Sequence, residues 1–236
     1  MKFTVLDWDS HFFSMKIGKL DIESNDSEET LRKEIEGHAN LDLLYIFSPE
    51  ERPLGFEGNA KMNLVDTKVV YKLNLNEYSR VDGLNTPLVQ EYKLPYASVE
   101  LETLAFESGV FSRFRTDAHF GRNHFYRLYK EWIDKSVSGQ LADNVFIVQH
   151  NFQVAGMVTV KYETERASIG LIAVLEKFKG KQIGSALLAE AVSASKRRNI
   201  QHIFVPTQEQ NIAACKFYER NGFVKHQATH IYHYWF

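Results

Sequence analysis

The residues best suited to chemistry lie in a short basic stretch of the chain's second half. Lys177, Lys179 and Lys181 surround Gly180, and Gly184 follows three residues later. Lysine ammonium groups attract anions, and glycine lets a ligand approach the backbone closely. An apolar run of strand length precedes the stretch and apolar residues at helical spacing follow it. The stretch would therefore stand at a helix start, where backbone N–H groups are unpaired and the helix dipole is positive. This pattern predicts a site for a phosphate-bearing ligand.

Two common phosphate-binding patterns do not fit this stretch. The P-loop pattern G-x-x-x-x-G-K-[ST] is missing, and Gly180-x-x-x-Gly184 does not match the dinucleotide pattern G-x-G-x-x-G. The alternative interpretation is a basic turn without a ligand, in which glycine only permits close packing of the helix on the strand.

The stretch resembles the pyrophosphate-binding motif of the GCN5-related N-acetyltransferase (GNAT) family, Q/R-x-x-G-x-G/A. Lys179 takes the Gln/Arg place and Gly184 the last place, whereas Gln182 departs from the first glycine. A second segment, 211–223, resembles the family's last helix, N-x-x-A-x-x-x-Y-x-x-x-G-F. It matches in register at Asn211, Ala214, Tyr218, Gly222 and Phe223. The resemblance covers roughly residues 145–236.

The resemblance implies acetyl-coenzyme A (acetyl-CoA) as co-substrate. In the family, coenzyme A pairs with the strand before the motif and reaches the start of the following helix. The expected cofactor-binding residues are Ile172, Ala173, Val174, Lys179, Gly180, Lys181, Gln182, Ile183, Gly184, Ser185 and Asn211. The next strand, 202–207, is expected to diverge from strand 168–174 and open the slot for the cofactor.

The same resemblance implies a catalytic role for Tyr218. Attack of an amine on a thioester releases a thiolate, which needs a proton. A thiol titrates near ~8.5 and a tyrosine near ~10, so a tyrosine can supply that proton with a modest mismatch. The alternative is a core tyrosine with a satisfied hydroxyl. The sequence ranks no general base: an ordered water could serve, and His119, His124 and Glu163 are further candidates.

Segments 6–13 and 119–132 resemble bacterial nucleotide-sugar acetyltransferases of the dTDP-fucosamine (dTDP-4-amino-4,6-dideoxygalactose) type. This implies, as acceptor, the amine of a dTDP-linked amino-deoxy sugar of surface polysaccharide biosynthesis. Arg113, Arg115 and His124 are candidates for binding it, because arginine binds phosphate in a bidentate way; solvated loop arginines are the alternative. Two other functions stay open: acetylation of a protein, amino acid or other small amine, and a non-catalytic coenzyme A-binding protein.

The elements that must position these residues suggest an α/β protein of two parts. Residues 106–236 are expected to form the GNAT domain, a mixed central sheet flanked by helices. Residues 1–105 read as a smaller α/β half-domain, a truncated GNAT-like unit. The segment 76–110, with two prolines and two glycines, reads as the connection between them, and Phe223–His226 and Thr229–Phe236 read as closing strands.

Composition narrows the classes of function. The 236 residues carry a formal net charge of −2, which gives no support for nucleic-acid binding. No apolar run approaches a membrane span, no secretory leader is recognised, and Cys215 is the single cysteine, so a cytoplasmic location is expected. No His, Cys and carboxylate cluster has metal-ligand spacing. A homodimer stays open, because the aromatic residues at 232–236 could form core or a dimer surface.

Overall fold

The computed structural model describes residues 1–51, 61–78 and 87–236. The chain divides into two compact units, Met1–Val69 with Gln208–Gln210 and Gln227–Phe236, and Val70–Thr207 with Asn211–His226. Residues 70–105, assigned from sequence to the first part, thus belong to the second unit, and the C-terminal segment from Gln227 belongs to the first. That the first unit is a truncated form of the second stays a prediction.

The first unit is a sheet with two helices. Its elements are β1 (Lys2–Val5), α1 (Asp7–Phe13), β2 (Ile17–Asp21), α2 (Glu28–Gly37), β3 (Leu43–Ser48) and parts of β4 (Met62–Asn74) and β10 (Val224–Trp235). The strand order is β1-β2-β3-β10-β4. Strands β2 and β3 run parallel, whereas β1 and β10 each run antiparallel to their partners β2 and β3. The single long β10 replaces the two closing strands predicted from sequence.

The C-terminal aromatic residues take part in the core of this first unit. Tyr232 is buried in one cluster with aliphatic side chains of β2, α2 and β3, and Tyr234 and Phe236 pack against that cluster. The core interpretation of these three residues is therefore confirmed, and a homodimer remains untested.

The second unit carries both motifs. Besides its share of β4 and β10 it contains β5 (Val89–Glu91), α3 (Val99–Ser108), α4 (Arg113–Thr116), α5 (Arg122–Val137), β6 (Asn144–His150), β7 (Gln153–Tyr162), β8 (Arg166–Val174), α6 (Ile183–Lys196), β9 (His202–Gln208, whose last residue belongs to the first unit) and α7 (Ile212–Arg220). The order β4-β9-β8-β7-β6-β5 combines antiparallel pairs from β5 to β8 with the parallel pair β8–β9. The predicted α/β class, a mixed sheet flanked by helices, is confirmed.

Helix α3 (Val99–Ser108) lies in segment 76–110, which was predicted to be a connection and is therefore partly helical. The Ser98 hydroxyl caps its first turn by accepting the Leu101 N–H at 3.4 Å. Leu101, Leu104 and Ala105 are fully buried at helical spacing, and the helix packs against β7 and β8. Pro87 and Pro95, both before the helix, suggest a linker, yet the serine cap and the apolar spacing are visible in the sequence.

Across residues 1–51, 61–78 and 87–236, no helix is long and apolar enough to cross a membrane. Within the same residues, no group of three or more histidine, cysteine or acidic side chains could hold a metal ion.

Candidate active site

The separation of β8 from β9 opens the site. The two strands pair in parallel from Arg166 opposite His202 to Ser168 opposite Phe204, whereas β8 continues to Val174. The predicted divergence of these strands is confirmed. The residues of β8 beyond Ser168 present backbone N–H and C=O groups on the side of β9, where an extended ligand can pair with them.

A β-bulge lies on the β7 side of β8, within the stretch beyond Ser168 that is not paired with β9. Val158 of β7 faces Ile172, but Val160 faces Ile169, so β8 holds one extra residue there. The Leu171 N–H, which the bulge removes from the ladder, donates to the Thr159 hydroxyl at 2.8 Å. This bond satisfies a buried amide within the bulge, beyond which Ile172 to Val174 stay paired with β7.

The turn into α6 has the backbone geometry that the motif's glycines suggest. Gly180 has φ of +78°, and Gln182, at the N-cap of α6, has φ of +61° and ψ of 7°. Gln182 therefore adopts a left-handed conformation in the place where the family pattern has glycine. Its side chain does not cap the helix, so the N–H groups of the first turn are not bonded by it.

The three lysines of this turn have different surroundings. The Lys179 ammonium forms an ion pair with Glu176. The ammonium groups of Lys177 and Lys181 lie 5.1 and 5.4 Å from the ring centroid of Phe178, which is buried. Cation–π contacts with one ring thus hold two positive charges at the turn.

Helix α7 begins and ends at the residues that the sequence predicted. The Asn211 side chain accepts the Ala214 N–H at 3.1 Å and caps the first turn. At the other end the Phe223 N–H donates to the Tyr218 carbonyl at 3.1 Å, and the Gly222 N–H to the Glu219 carbonyl at 3.0 Å. Gly222 has φ of +85°, as a left-handed helix stop requires.

Tyr218 occupies a buried aromatic setting on this helix. It is 3 % exposed, and the rings of Phe217, Phe223 and Tyr71 lie 5.4, 5.8 and 5.7 Å from its own. Burial raises the pKa of the Tyr218 hydroxyl above that of a free tyrosine, with a smaller contribution from Cys215. The phenol therefore keeps its proton at neutral pH and can act as a hydrogen-bond or proton donor.

These elements enclose one cavity of about 1300 Å³ within the second unit. Eleven of the twelve predicted catalytic and cofactor-binding residues line it: Ile172, Ala173, Val174, Lys179, Gly180, Gln182, Ile183, Gly184, Ser185, Asn211 and Tyr218. The twelfth, Lys181, is outside its wall. The structure thus brings together, around one space, two motifs that lie about 30 residues apart in the chain.

The residues predicted to bind the acceptor are not part of this wall. The Arg113 and Arg115 guanidinium groups lie 4.4 and 5.4 Å from the ring centroids of Phe114 and Phe125. His124 lies on α5, with its ring 6.3 Å from that of Phe120. Acceptor binding by Arg113, Arg115 and His124 therefore has no support from the cavity and stays a prediction.

The end of α3 forms a part of the wall that no sequence motif indicates. Glu107, Ser108, Val110 and Phe111 line the cavity, and Phe111 is 37 % exposed. The turn that carries them is closely packed, because a Cβ atom at Gly109 would lie 2.2 Å from the Tyr129 ring. The candidate bases His119, His124 and Glu163 do not line the cavity, whereas the residue Glu107 does.

Comparison with known proteins agrees with this geometry. The profile of the acetyltransferase (GNAT) family matches residues 101–223, more than half of the chain. The spore coat polysaccharide biosynthesis protein SpsD of Bacillus subtilis (strain 168) is 30 % identical over 132 residues, 56 % of this chain and 45 % of that protein. The chain thus matches less than half of SpsD's length.

Two further similarities concern a small-molecule enzyme and a solved structure. Streptothricin acetyltransferase A of Bacillus subtilis (strain 168) is 27 % identical over 121 residues, 51 % of this chain and 69 % of that protein. The crystal structure of a GCN5-related N-acetyltransferase from Sphaerobacter thermophilus superposes with a TM-score of 0.58 at 13 % identity, covering 98 % of this chain and 75 % of that one. The latter likeness shows the fold. The family profile, which covers more than half of the chain, shows that the chain belongs to the acetyltransferase (GNAT) family, whose acetyl donor is acetyl-CoA.

Proposed function

We propose that this protein transfers the acetyl group of acetyl-CoA to the amine of a small molecule, and that the acceptor is a dTDP-linked amino-deoxy sugar of surface polysaccharide biosynthesis. The observation that carries the acetyl transfer is the single cavity shared by the α6 turn, the unpaired end of β8 and Tyr218. The sugar acceptor is supported by the similarity to a polysaccharide biosynthesis protein. The similarity to streptothricin acetyltransferase A supports another small amine as the alternative.

The chain's own groups suit the parts of the donor. The end of β8, Ile172 to Val174, offers backbone groups to the amides of the pantetheine arm. The turn and first residues of α6 offer uncapped N–H groups, a positive dipole end and the Lys179 charge to the pyrophosphate. Asn211 helps to fix the start of the helix that carries Tyr218.

The chemistry assigns two proton transfers to residues of the cavity wall. The acceptor nitrogen forms a bond to the thioester carbon, and the carbon–sulfur bond then breaks with its electron pair on sulfur. Tyr218 donates its proton to that thiolate and regains one from solvent. We assign the surplus proton of the amine to the Glu107 carboxylate, which passes it to solvent. General acid and base groups of this kind contribute about 10²–10⁴-fold each.

The first experiment measures thiol release from acetyl-CoA with a panel of dTDP-amino-deoxyhexoses, and with an aminoglycoside, streptothricin and a lysine peptide as other acceptors. We expect release with one sugar nucleotide. Release only with an aminoglycoside or streptothricin would overturn the sugar acceptor and keep the acetyl transfer. Binding of acetyl-CoA without release from any acceptor would favour the non-catalytic alternative.

Tyr218→Phe tests the assigned acid. The substitution removes only the hydroxyl, so we expect acetyl-CoA affinity to stay the same and kcat to fall at least tenfold. Calorimetry and initial rates measure the two quantities separately. An unchanged kcat would remove Tyr218 from the mechanism.

A further inference from the structure

Tyr71 on β4 contacts three residues of α7, the helix that carries Tyr218. Its hydroxyl donates a hydrogen bond to Glu219 Oε1 at 2.8 Å, and the Cys215 side chain hydrogen-bonds the same hydroxyl. Its ring centroid lies 5.7 Å from that of Tyr218, with 40° between the ring planes. Tyr71 is 2 % exposed, and all four residues belong to the second unit.

The spacing of these contacts matters for the orientation of Tyr218. Cys215 and Glu219 are one helical turn apart, and Tyr218 lies three residues after Cys215, so all three share one face of α7. One hydroxyl thus joins two successive turns, while the ring packs on the residue between them. These contacts fix both the rotation of α7 about its axis and its position along β4.

Helix α7 depends on such contacts for its order. It has nine residues, and isolated helices below about 12–15 residues are marginal in water. The caps at Asn211 and Gly222 fix its ends. The Tyr71 bonds join two successive turns of α7, through Cys215 and Glu219, to β4.

Tyr71 itself does not form the described cavity wall, although its neighbours Lys72 and Leu73 do. Its hydroxyl proton is also donated in a hydrogen bond to the Glu219 carboxylate. Tyr71 can therefore influence the reaction only through another residue. We propose that Tyr71, bonded to Glu219 and Cys215, is a positioning residue that holds the Tyr218 hydroxyl in its reactive place. This inference rests on the proposed role of Tyr218.

Tyr71→Phe tests this role, because it keeps the ring and removes both hydroxyl bonds. A small misplacement of a catalytic group lowers the rate steeply, so we expect kcat to fall about tenfold with the KM for acetyl-CoA unchanged. Glu219→Gln keeps a neutral acceptor and should give a smaller loss in the same direction. Tyr162→Phe is the matched control: the Tyr162 hydroxyl is buried on β7 without a hydrogen-bond partner among the described residues, so its loss should change neither constant.

The double variant Tyr71→Phe/Tyr218→Phe separates positioning from general support of the fold. If Tyr71 acts through Tyr218, the double variant has the kcat of Tyr218→Phe alone. A further multiplicative loss in the double variant would overturn the inference, as would a normal kcat for both Tyr71→Phe and Glu219→Gln. A normal kcat for Tyr218→Phe would instead overturn the proposed function. Thermal protection by acetyl-CoA shows that each variant is folded, and Glu219→Gln serves should Tyr71→Phe fail to fold.

Discussion

Gln182 has a backbone conformation that is usually left to glycine. A left-handed conformation costs a side-chain-bearing residue roughly 1–2 kcal/mol, and Gln182 has φ of +61°. Glycine would remove that strain but would lose about 0.4–1 kcal/mol through a freer unfolded chain. Gln182→Gly should therefore raise the free energy of unfolding by about 0.5–1 kcal/mol, measured by urea titration.

The neighbouring Gly180 provides the control of opposite sign. Its φ is +78°, and no heavy atom lies within 4 Å of an added Cβ, so strain is the dominant effect there. Gly180→Ala should lower the free energy of unfolding by roughly 1 kcal/mol. A destabilised Gln182→Gly protein would show that the glutamine side chain contributes contacts that outweigh the strain.

The assignment of Glu107 as base gives a second prediction for a single residue. Glu107→Gln keeps the side-chain shape and removes the proton acceptor, so kcat should fall at least tenfold with acetyl-CoA affinity unchanged. Steady-state rates with saturating acceptor measure this. Glu163→Gln is the control, because Glu163 lies outside the cavity wall in an ion pair with Arg166. Equal rates for both variants would return the role of base to water.

At the scale of elements, the contact between α6 and α7 controls the shape of the cavity. A Cβ atom at Gly184 would lie 3.4 Å from the Phe217 ring and 3.7 Å from the Val174 side chain. Alanine fits with a small shift, whereas leucine must displace Phe217, which lines the cavity. Gly184→Leu should weaken acetyl-CoA binding tenfold or more and Gly184→Ala by much less, as measured by calorimetry. Equal affinity of both variants would contradict this arrangement.

The elements that could be predicted are those whose signals are local. Asn211 and Gly222 mark the two ends of α7 through capping chemistry that depends on a few neighbouring residues. The β6–β7 hairpin is local as well: two short, buried, largely apolar runs flank a turn at Asn151 and Phe152, whose φ values are positive at 51° and 61°. Helix α3 was missed because prolines nearby suggested a linker, and with it Glu107, whose place in the wall depends on packing rather than on a motif.

At the scale of the whole chain, the division into units could not be predicted because it depends on distant pairing. Tyr232 near the C-terminus is buried against residues of the first 50, since β10 pairs with β3. The part of the cavity wall from β4, which includes Leu73, lies more than 90 residues before the first motif. No local pattern specifies which strands become neighbours, so the sequence predicted the class of sheet but not its order.

Two buried tyrosines, Tyr218 and its neighbour Tyr71, make the free energy of unfolding depend on pH in the alkaline range. Burial raises the pKa of Tyr218, and burial together with the bond to Glu219 raises the pKa of Tyr71. An unfolded tyrosine titrates near ~10, so above about pH 10 the unfolded chain loses these protons and the native protein keeps them. Stability is then complete below that pH and falls as pH rises.

This dependence predicts a difference in slope between variants. We expect the free energy of unfolding, measured by urea titration between about pH 8 and 11, to decline less steeply in Tyr71→Phe and Tyr218→Phe than in the parent. The slope with pH, and not the absolute free energy of unfolding, tests this prediction, because loss of the Glu219 bond lowers the stability of Tyr71→Phe at every pH. Tyr126→Phe is the control, since Tyr126 is 44 % exposed and its removal should leave the slope unchanged. A slope equal to the parent's in both buried variants would show that other groups cause the alkaline loss.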